Sequence, residues 1–331
     1  MKHIWISLIL IVLAVLGIFY GFRQPQETAE EEEDLIVIGM SQVGAESDWR
    51  VANSESMKQV FSEENGYRLL FEEARQKQEN QFSAIRRFIQ QQVDYIVVMP
   101  ITEIGWESVL QEAKEAGIPV IVADRKMDVE DPSLITAHVG ADVYAEGRKA
   151  VIWMEDTFKN HPQVNIIHIQ GTLDSTAQIG RTQALENGLA ANPNWNLLSR
   201  MQGDFTQAKT YEVMTEYLRS VDSLPVIDVV YCENDNEAFG AVEALESFGY
   251  RCGPGGVSII SFDATREALQ YCRNGKIALE VECNPLLGPL VEEVIQILES
   301  GQELPKTNYV PKEEVFTPQD ITDELLEQRA Y

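Results

Sequence analysis

From residue 35 onward, short β-branched runs alternate with stretches whose apolar residues recur at helical spacing, the pattern of a parallel sheet covered by helices on both faces. Runs at 35–39, 67–71, 95–99, 119–123 and 136–139 predict a first set of strands. Runs at 164–169, 195–200, 226–231, 257–262 and 278–282 predict a second, with helices near 143–160, 176–191, 207–220, 235–248 and 265–273. Gly66, Gly117 and Gly249 stand where a helix must stop before the chain turns, as C-cap positions require. The expected class is therefore α/β, with two doubly wound parallel-sheet lobes in succession. A helix over about 286–300, a short strand near 309–310 and a charged C-terminal helix belong to neither half, which predicts a chain that crosses back between them.

The first 33 residues follow a different pattern. Residues 4–22 carry no charge and, at the rise of an α-helix, span roughly 28 Å, enough for a hydrocarbon core. The run ends in Gly21-Phe22-Arg23 without a small-x-small cleavage site, which favours an uncleaved transmembrane anchor over a removed signal peptide. No Cys follows it to take an acyl chain, so anchoring rests on the helix. Lys2 flanks the run on one side, consistent with an N-terminus inside, and the acidic block over residues 30–34 reads as an extended, solvated spacer. The expected location is extracytoplasmic, tethered at the membrane.

Charge narrows the function classes. The chain holds 26 Lys+Arg against 53 Asp+Glu, a net charge of -27, which repels phosphate backbones and excludes a nucleic-acid partner for the body of the protein. The four cysteines, Cys232, Cys252, Cys272 and Cys283, form no CxxC pair, so no metal site and no cofactor is expected. Cys252 and Cys272 flank one predicted strand and helix, and either pair in an exported domain or remain buried thiols. GxxxxGK[ST], GxGxxG after a strand, GxSxG and HExxH are all missing, and the four histidines (His3, His138, His161, His168) are dispersed. No enzymatic activity is expected.

Ligands in doubly wound sheets bind beyond the C-terminal strand ends. Those positions are polar here: 41–50 after the first strand, Asp124-Arg125 after the fourth, Gly171-Thr172 leading to Arg181, then Asp204-Phe205, Asn234-Asp235 and Asp263. Carboxylates, guanidinium groups and amides saturate sugar hydroxyls, while Trp49 and Phe205 offer ring faces to sugar C–H surfaces. Each has a plainer reading beside this one. Asp263, Asn234 and Asp235 are also good helix caps, Asp124-Arg125 a local ion pair, and Trp49 and Phe205 core aromatics. Asp124 facing Asp263 as a glycosidase pair is a distant alternative.

The segments SQVGAESDWR, QKQENQ, the Pro-x5-Trp-Glu stretch at 100–107, IPVIVADRKMDV, QGTLDSTAQIGR, GDFTQAK and ENDNEAFGA resemble the type I sugar-binding proteins of ABC importers, most of all those of galactofuranose type. The resemblance runs from about residue 35 to the C-terminus. It implies two lobes, 34–138 with 285–312 and 139–284 with 313–331, joined by a three-strand hinge and acting as a monomer. It further implies closure on one monosaccharide and delivery to an ABC permease, or, alternatively, sugar-sensing input to a sensor kinase or chemoreceptor. By motif position the implied ligand contacts are Gln42, Glu46, Trp49, Arg50, Asp124, Arg125, Arg181, Phe205, Asn234, Asp263 and Asn284, with Asp174 and Thr176 as weaker members. Glu233 departs from the galactofuranose pattern, which has a small residue or His before Asn-Asp, so a different rim is expected there.

Overall fold

The computed structural model describes residues 35–306 and 308–331. The expected membrane helix and acidic spacer lie outside the described residues; among those described, no helix is long and apolar enough to cross a membrane. The strands are β1 (Ile36–Gln42), β2 (Tyr67–Glu73), β3 (Tyr95–Val98), β4 (Val120–Ala123), β5 (Ala137–Val139), β6 (Val164–Gln170), β7 (Trp195–Gln202), β8 (Val229–Cys232), β9 (Ser258–Asp263), β10 (Leu279–Glu282), β11 (Asn308–Tyr309) and β12 (Val315–Phe316). They form two six-stranded sheets, in the orders β11-β5-β4-β3-β1-β2 and β12-β10-β9-β8-β6-β7. Central strands β3, β4, β8 and β10 are buried along their whole length, which accounts for the nearly continuous apolar runs of the first three.

The helices are α1 (Asp48–Val60), α2 (Gln78–Gln90), α3 (Glu107–Glu115), α4 (Val143–Thr157), α5 (Thr176–Ala191), α6 (Gln207–Ser220), α7 (Asp235–Ser247), α8 (Arg266–Arg273), α9 (Gly288–Glu299) and α10 (Asp323–Gln328). Local chemistry sets where many of them begin. The side chains of Ser47, Asp142, Ser175, Thr206, Asn234 and Thr265 each accept a bond from a backbone N–H in the first turn of the helix they precede. Two apolar clusters contain the residues of the first sheet, one centred on Met40, Val97 and Val291 and the other on Phe88, Ile96 and Trp106. Two more contain those of the second sheet, around Ile169, Val230 and Ala241 and around Tyr231, Phe262 and Val281.

The chain passes between sheets three times, after β5, after β10 and after β11. On the second passage α9 returns to cover the first sheet against α1. The approach there is close: Gly288 N–H donates to Ser56 Oγ at 3.1 Å, and a Cβ on Gly288 would lie 2.6 Å from Ser56 O. On the third passage β12 enters the second sheet antiparallel to β10, with Glu280 opposite Phe316. Two residues are too short for any periodicity to announce, and this strand was not expected from the sequence.

One strand boundary is corrected, and the open alternative for the cysteines is decided. Strand β8 begins at Val229 rather than residue 226, because Val226 is 72% exposed and ladder pairing starts only at Val229 opposite Ser258. Cys252 and Cys272 are not bridged, and all four thiols are free and buried. Cys272 packs inside the core with its Sγ 4.0 Å from Phe316 O, while Cys252 sits in a turn paired with Val257. Burial pushes the Cys252 thiol up to about 12, as expected of an inert structural cysteine.

Candidate ligand-binding site

In each sheet the strand order reverses beside its first strand, between β1 and β3 in one and between β6 and β8 in the other. The crevice at such a reversal, beyond the carboxyl ends of the strands, is where open α/β sheets accept ligands. Here the two crevices share one cavity between the lobes. Glu46, Ser47, Trp49, Arg50, Asp124 and Arg125 line it from one lobe. Val143, Ala177, Arg181, Phe205, Asn234, Asp263 and Cys283 complete it.

An ion-pair network braces the first wall. Glu46 Oε1 accepts from Arg125 Nη2 at 2.6 Å and from Arg50 Nη2 at 3.1 Å, while Arg50 Nη2 also reaches Asp124 Oδ2 at 2.6 Å. Arg125 Nη1 donates to Ile101 O at 3.2 Å. On the opposite wall Arg181 donates through Nε and Nη2 to Glu146 Oε2, at 2.9 and 2.7 Å, and through Nη1 to Glu233 O. Its Nη2 lies 3.7 Å from Asp263 Oδ1. These charges brace one another. Glu46 Oε2 and Arg50 Nη1 on the first wall, and Glu146 Oε1 behind the second, are buried with no partner within the protein, so the first wall keeps one acceptor and one donor for a guest.

Aromatic groups complete the enclosure. Trp49 donates from Nε1 to Cys283 O at 2.7 Å and carries the Arg50 guanidinium 4.7 Å from its ring. Trp49 is 5% exposed and belongs to the first core cluster, so it serves both the core and the cavity. Phe205 faces Arg125 across the cavity, 5.4 Å from guanidinium to ring. It is seated over Gly171, where a Cβ would lie 2.0 Å from Phe205 Cζ.

Backbone geometry aims these groups. Asp124, Phe205 and Asp263 have φ of 64°, 60° and 110°, all in the left-handed region. A non-glycine residue there costs about 1–3 kcal/mol and persists when the surroundings enforce it, most often at functional sites. Capping competes for one residue only. Thr265, not Asp263, caps α8, and Asp235 is buried against Ser261 and Thr265, whereas Asn234 caps α7 and also donates to Phe205 O at 3.2 Å. Burial pushes the Asp263 carboxyl well above the usual range, opposed by Arg181 and reinforced by Asp235 and Glu146. Burial also lowers the Arg125 value, with Glu46 opposing and Arg50 adding to the decrease.

Four residues implied by the resemblance lie outside the cavity lining. Gln42 is fully buried behind it, bonded to Asn53 Oδ1 at 3.0 Å and Ser54 Oγ at 3.1 Å, and it orients the loop that carries Glu46. Thr176 sits at the mouth, donating to Glu103 Oε1 at 2.6 Å and accepting from Lys126 N–H at 2.7 Å, while Asp174 O accepts from Glu103 N–H at 3.3 Å. Asn284 lies on the second passage, its N–H 3.2 Å from Glu313 Oε1. The Glu233 side chain is directed inward to His168 Nε2 at 2.9 Å and Thr182 Oγ1 at 2.6 Å, so it does not form the altered rim expected for it. With Asp48 and Asn236 bonded at 3.1 Å, these contacts join the two lobes across the mouth, and the arrangement is closed. Ser47, Val143, Ala177 and Cys283 were missed as lining residues, although Ser47 lies in the polar stretch after the first strand. Reading the end of β10 as the other strand ends were read yields Cys283; the two small apolar residues give no signal.

The periplasmic binding protein domain family matches residues 38–281. The chain belongs to that family. This periplasmic binding protein is 32% identical over 295 residues to the galactofuranose-binding protein YtfQ of Escherichia coli (strain K12), covering 89% of this chain and 92% of that one. A solved structure from Mycobacterium smegmatis in complex with β-D-fucofuranose is 40% identical, with a TM-score of 0.83 over 89% of this chain and 95% of the other. The periplasmic binding component of the arabinose ABC transporter from Shewanella sp. ANA-3, bound to α- and β-L-arabinofuranose, is 35% identical with the same TM-score and coverage.

Proposed function

We propose that this protein is an extracytoplasmic monosaccharide receptor that closes on a sugar in furanose form and delivers it to an ABC permease. The observation that carries the reading is the charge balance of the cavity. Arg50 and Arg125 are paired with Glu46 and Asp124, and Arg181 with Glu146, so the walls are dense in hydrogen-bonding groups whose charges are matched within the protein. Such a site suits a neutral polyol, with Trp49 and Phe205 covering its C–H surface. The relatives bound to fucofuranose and arabinofuranose support a five-membered ring. The ligand contacts are the lining residues already named, and the lobes that move are 34–138 with 285–312 and 139–284 with 313–331.

Closure is a population shift: a sugar that contacts both walls favours the closed form by as much as those contacts are worth. The glycosidase alternative has little support, because the relatives described above are sugar-binding proteins and transporter components. Isothermal titration of ligand-stripped protein against galactose, arabinose, ribose, glucose and methyl β-D-galactofuranoside tests the reading. One-to-one binding without turnover, tightest for the furanose-locked or furanose-rich sugars, is expected. Absence of binding to all five overturns it.

A further inference from the structure

Phe205 reaches the cavity from a backbone that phenylalanine seldom adopts. Asp204 and Phe205, with φ of 56° and 60°, are the central residues of a turn closed by Thr206 N–H donating to Gly203 O at 3.0 Å. Two successive positive φ values mark a type I′ turn, which glycine, asparagine and aspartate fill readily and a bulky residue does not. Both backbone groups of Phe205 are gripped by side chains from α7 and its cap: the N–H donates to Glu237 Oε1 at 3.0 Å, and the carbonyl accepts from Asn234 Nδ2 at 3.2 Å. Asn234 lines the cavity, whereas Glu237 is fully buried behind it.

An acid in the first turn of a helix has a plainer reading as a cap. Glu237 is the third residue of α7, where a capping box would send its side chain back to the N–H of the cap residue. Its Oε2 accepts instead from the N–H of Glu233, one residue before the cap, at 2.9 Å, while Oε1 crosses to the turn after β7. One carboxyl group thus ties the end of β7 to the end of β8. Gly203 leaves it the room, since a Cβ there would lie 2.7 Å from Glu237 Oε1. Glu233 holds the other side of the ring: its Oε2 accepts from the N–H of Gly171, the residue over which Phe205 is seated, at 2.8 Å.

We propose that Glu237 is a positioning residue for sugar recognition, fixing the turn that presents the Phe205 ring to the guest. This rests on the receptor reading above and adds a residue to its site. Every member of the brace lies within residues 139–284, so it needs no closure and preorganises the free receptor. Burial, reinforced by Glu233, pushes the Glu237 carboxyl well above its ordinary value, against the pull of the Phe205 and Glu233 N–H groups and of Arg181. The brace does not depend on that charge, because a protonated carboxyl group keeps acceptor capacity.

The test is a double-mutant cycle by titration calorimetry of the full-length protein with methyl β-D-galactofuranoside, over wild type, Glu237→Met, Phe205→Ala and the double variant. Methionine approaches glutamate in size and offers neither N–H an oxygen. Glu237→Met should weaken binding about tenfold where Phe205 is present and less than about twofold where it is absent. A residue that served only the fold would cost the same factor in both backgrounds; that result, or no loss in either, overturns the proposal. Gly203→Ala crowds Oε1 without altering the acid, and it carries the same cycle if Glu237→Met does not fold. A second readout needs no sugar. With 15N-labelled phenylalanine, the Phe205 amide is the signal missing from Phe205→Ala; it should resist hydrogen exchange in the free wild type and lose that protection in Glu237→Met or Gly203→Ala. An amide that exchanges as freely in the wild type as in the variants refutes the brace. If no sugar binds the wild type, the receptor reading is what has failed, and this amide decides whether the brace stands.

Discussion

Arg125→Ala is the substitution on which the two-walled cavity can be tested most sharply. Arg125 is 3% exposed, donates to Glu46 Oε1 and Ile101 O from within the first lobe, and faces Phe205 on the second. The Phe205 contact exists only when the cleft is closed, so its loss counts against binding and not against the fold of the open protein; a desolvated contact of this kind is worth about 0.5–2 kcal/mol. A ligand hydroxyl left without its charged partner adds about 1.5–3 kcal/mol. Together these predict a loss of about 2–5 kcal/mol, thirtyfold to several thousandfold in Kd by titration calorimetry. The melting temperature without ligand should fall by less than this implies, because Glu46 keeps its bonds to Arg50 Nε and Nη2 at 3.3 and 3.1 Å. Arg125→Lys should recover little, since an ammonium cannot reproduce the planar fork that spans Glu46 and Ile101. A loss below threefold for Arg125→Ala refutes the assignment of this residue to the ligand.

Gly171→Ala should displace the Phe205 ring, because the new Cβ would lie 2.0 Å from Phe205 Cζ, and binding should weaken at least tenfold by calorimetry with a lowered melting temperature. Thr176→Val removes the bonds to Glu103 and Lys126 at the mouth; about 1–2 kcal/mol of closed-state stability should go, seen as faster release in stopped-flow with melting of the free protein unchanged. Burial, with Asp235 adding, holds the Glu280 carboxyl well above its usual range, so the folded protein keeps a proton that the unfolded chain gives up above the ordinary carboxylate value. Stability from this site is complete at low pH and declines as pH rises, so Glu280→Gln should leave melting nearly unchanged at pH 5 and raise it relative to wild type at pH 8.

The fold was legible because buried parallel strands leave near-continuous apolar runs and the helices between them start at side-chain caps, both of which are local properties. The strand ends were legible for the same reason, and they gave Asp124, Arg125, Phe205, Asn234 and Asp263. Pairing across the chain left no trace. That Arg50 would reach Asp124, or Arg181 rest on Glu146, depends on which strands become neighbours, and a residue list cannot distinguish Arg181 on a cavity wall from an exposed arginine on a helix. Gln42 and Asn284 illustrate the converse. Their positions in the motif suggested contact with a guest, yet Gln42 is held by the Asn53 and Ser54 side chains and the Val43 N–H, and Asn284 Oδ1 accepts from the Leu286 N–H.

The left-handed backbone at Asp124, Phe205 and Asp263 bears on how such a protein would evolve in the laboratory. Glycine adopts this conformation without steric cost, so replacement at these positions relieves strain while erasing the side chains that meet the guest. Selection for heat resistance alone, in a culture that never offers a sugar, should therefore enrich glycine at Asp263, whereas Asp124, paired with buried Arg50, and Phe205, packed over Gly171, resist the exchange. Alternating rounds of heat and ligand capture should keep Asp, Phe and Asp in place and send the stabilising changes elsewhere.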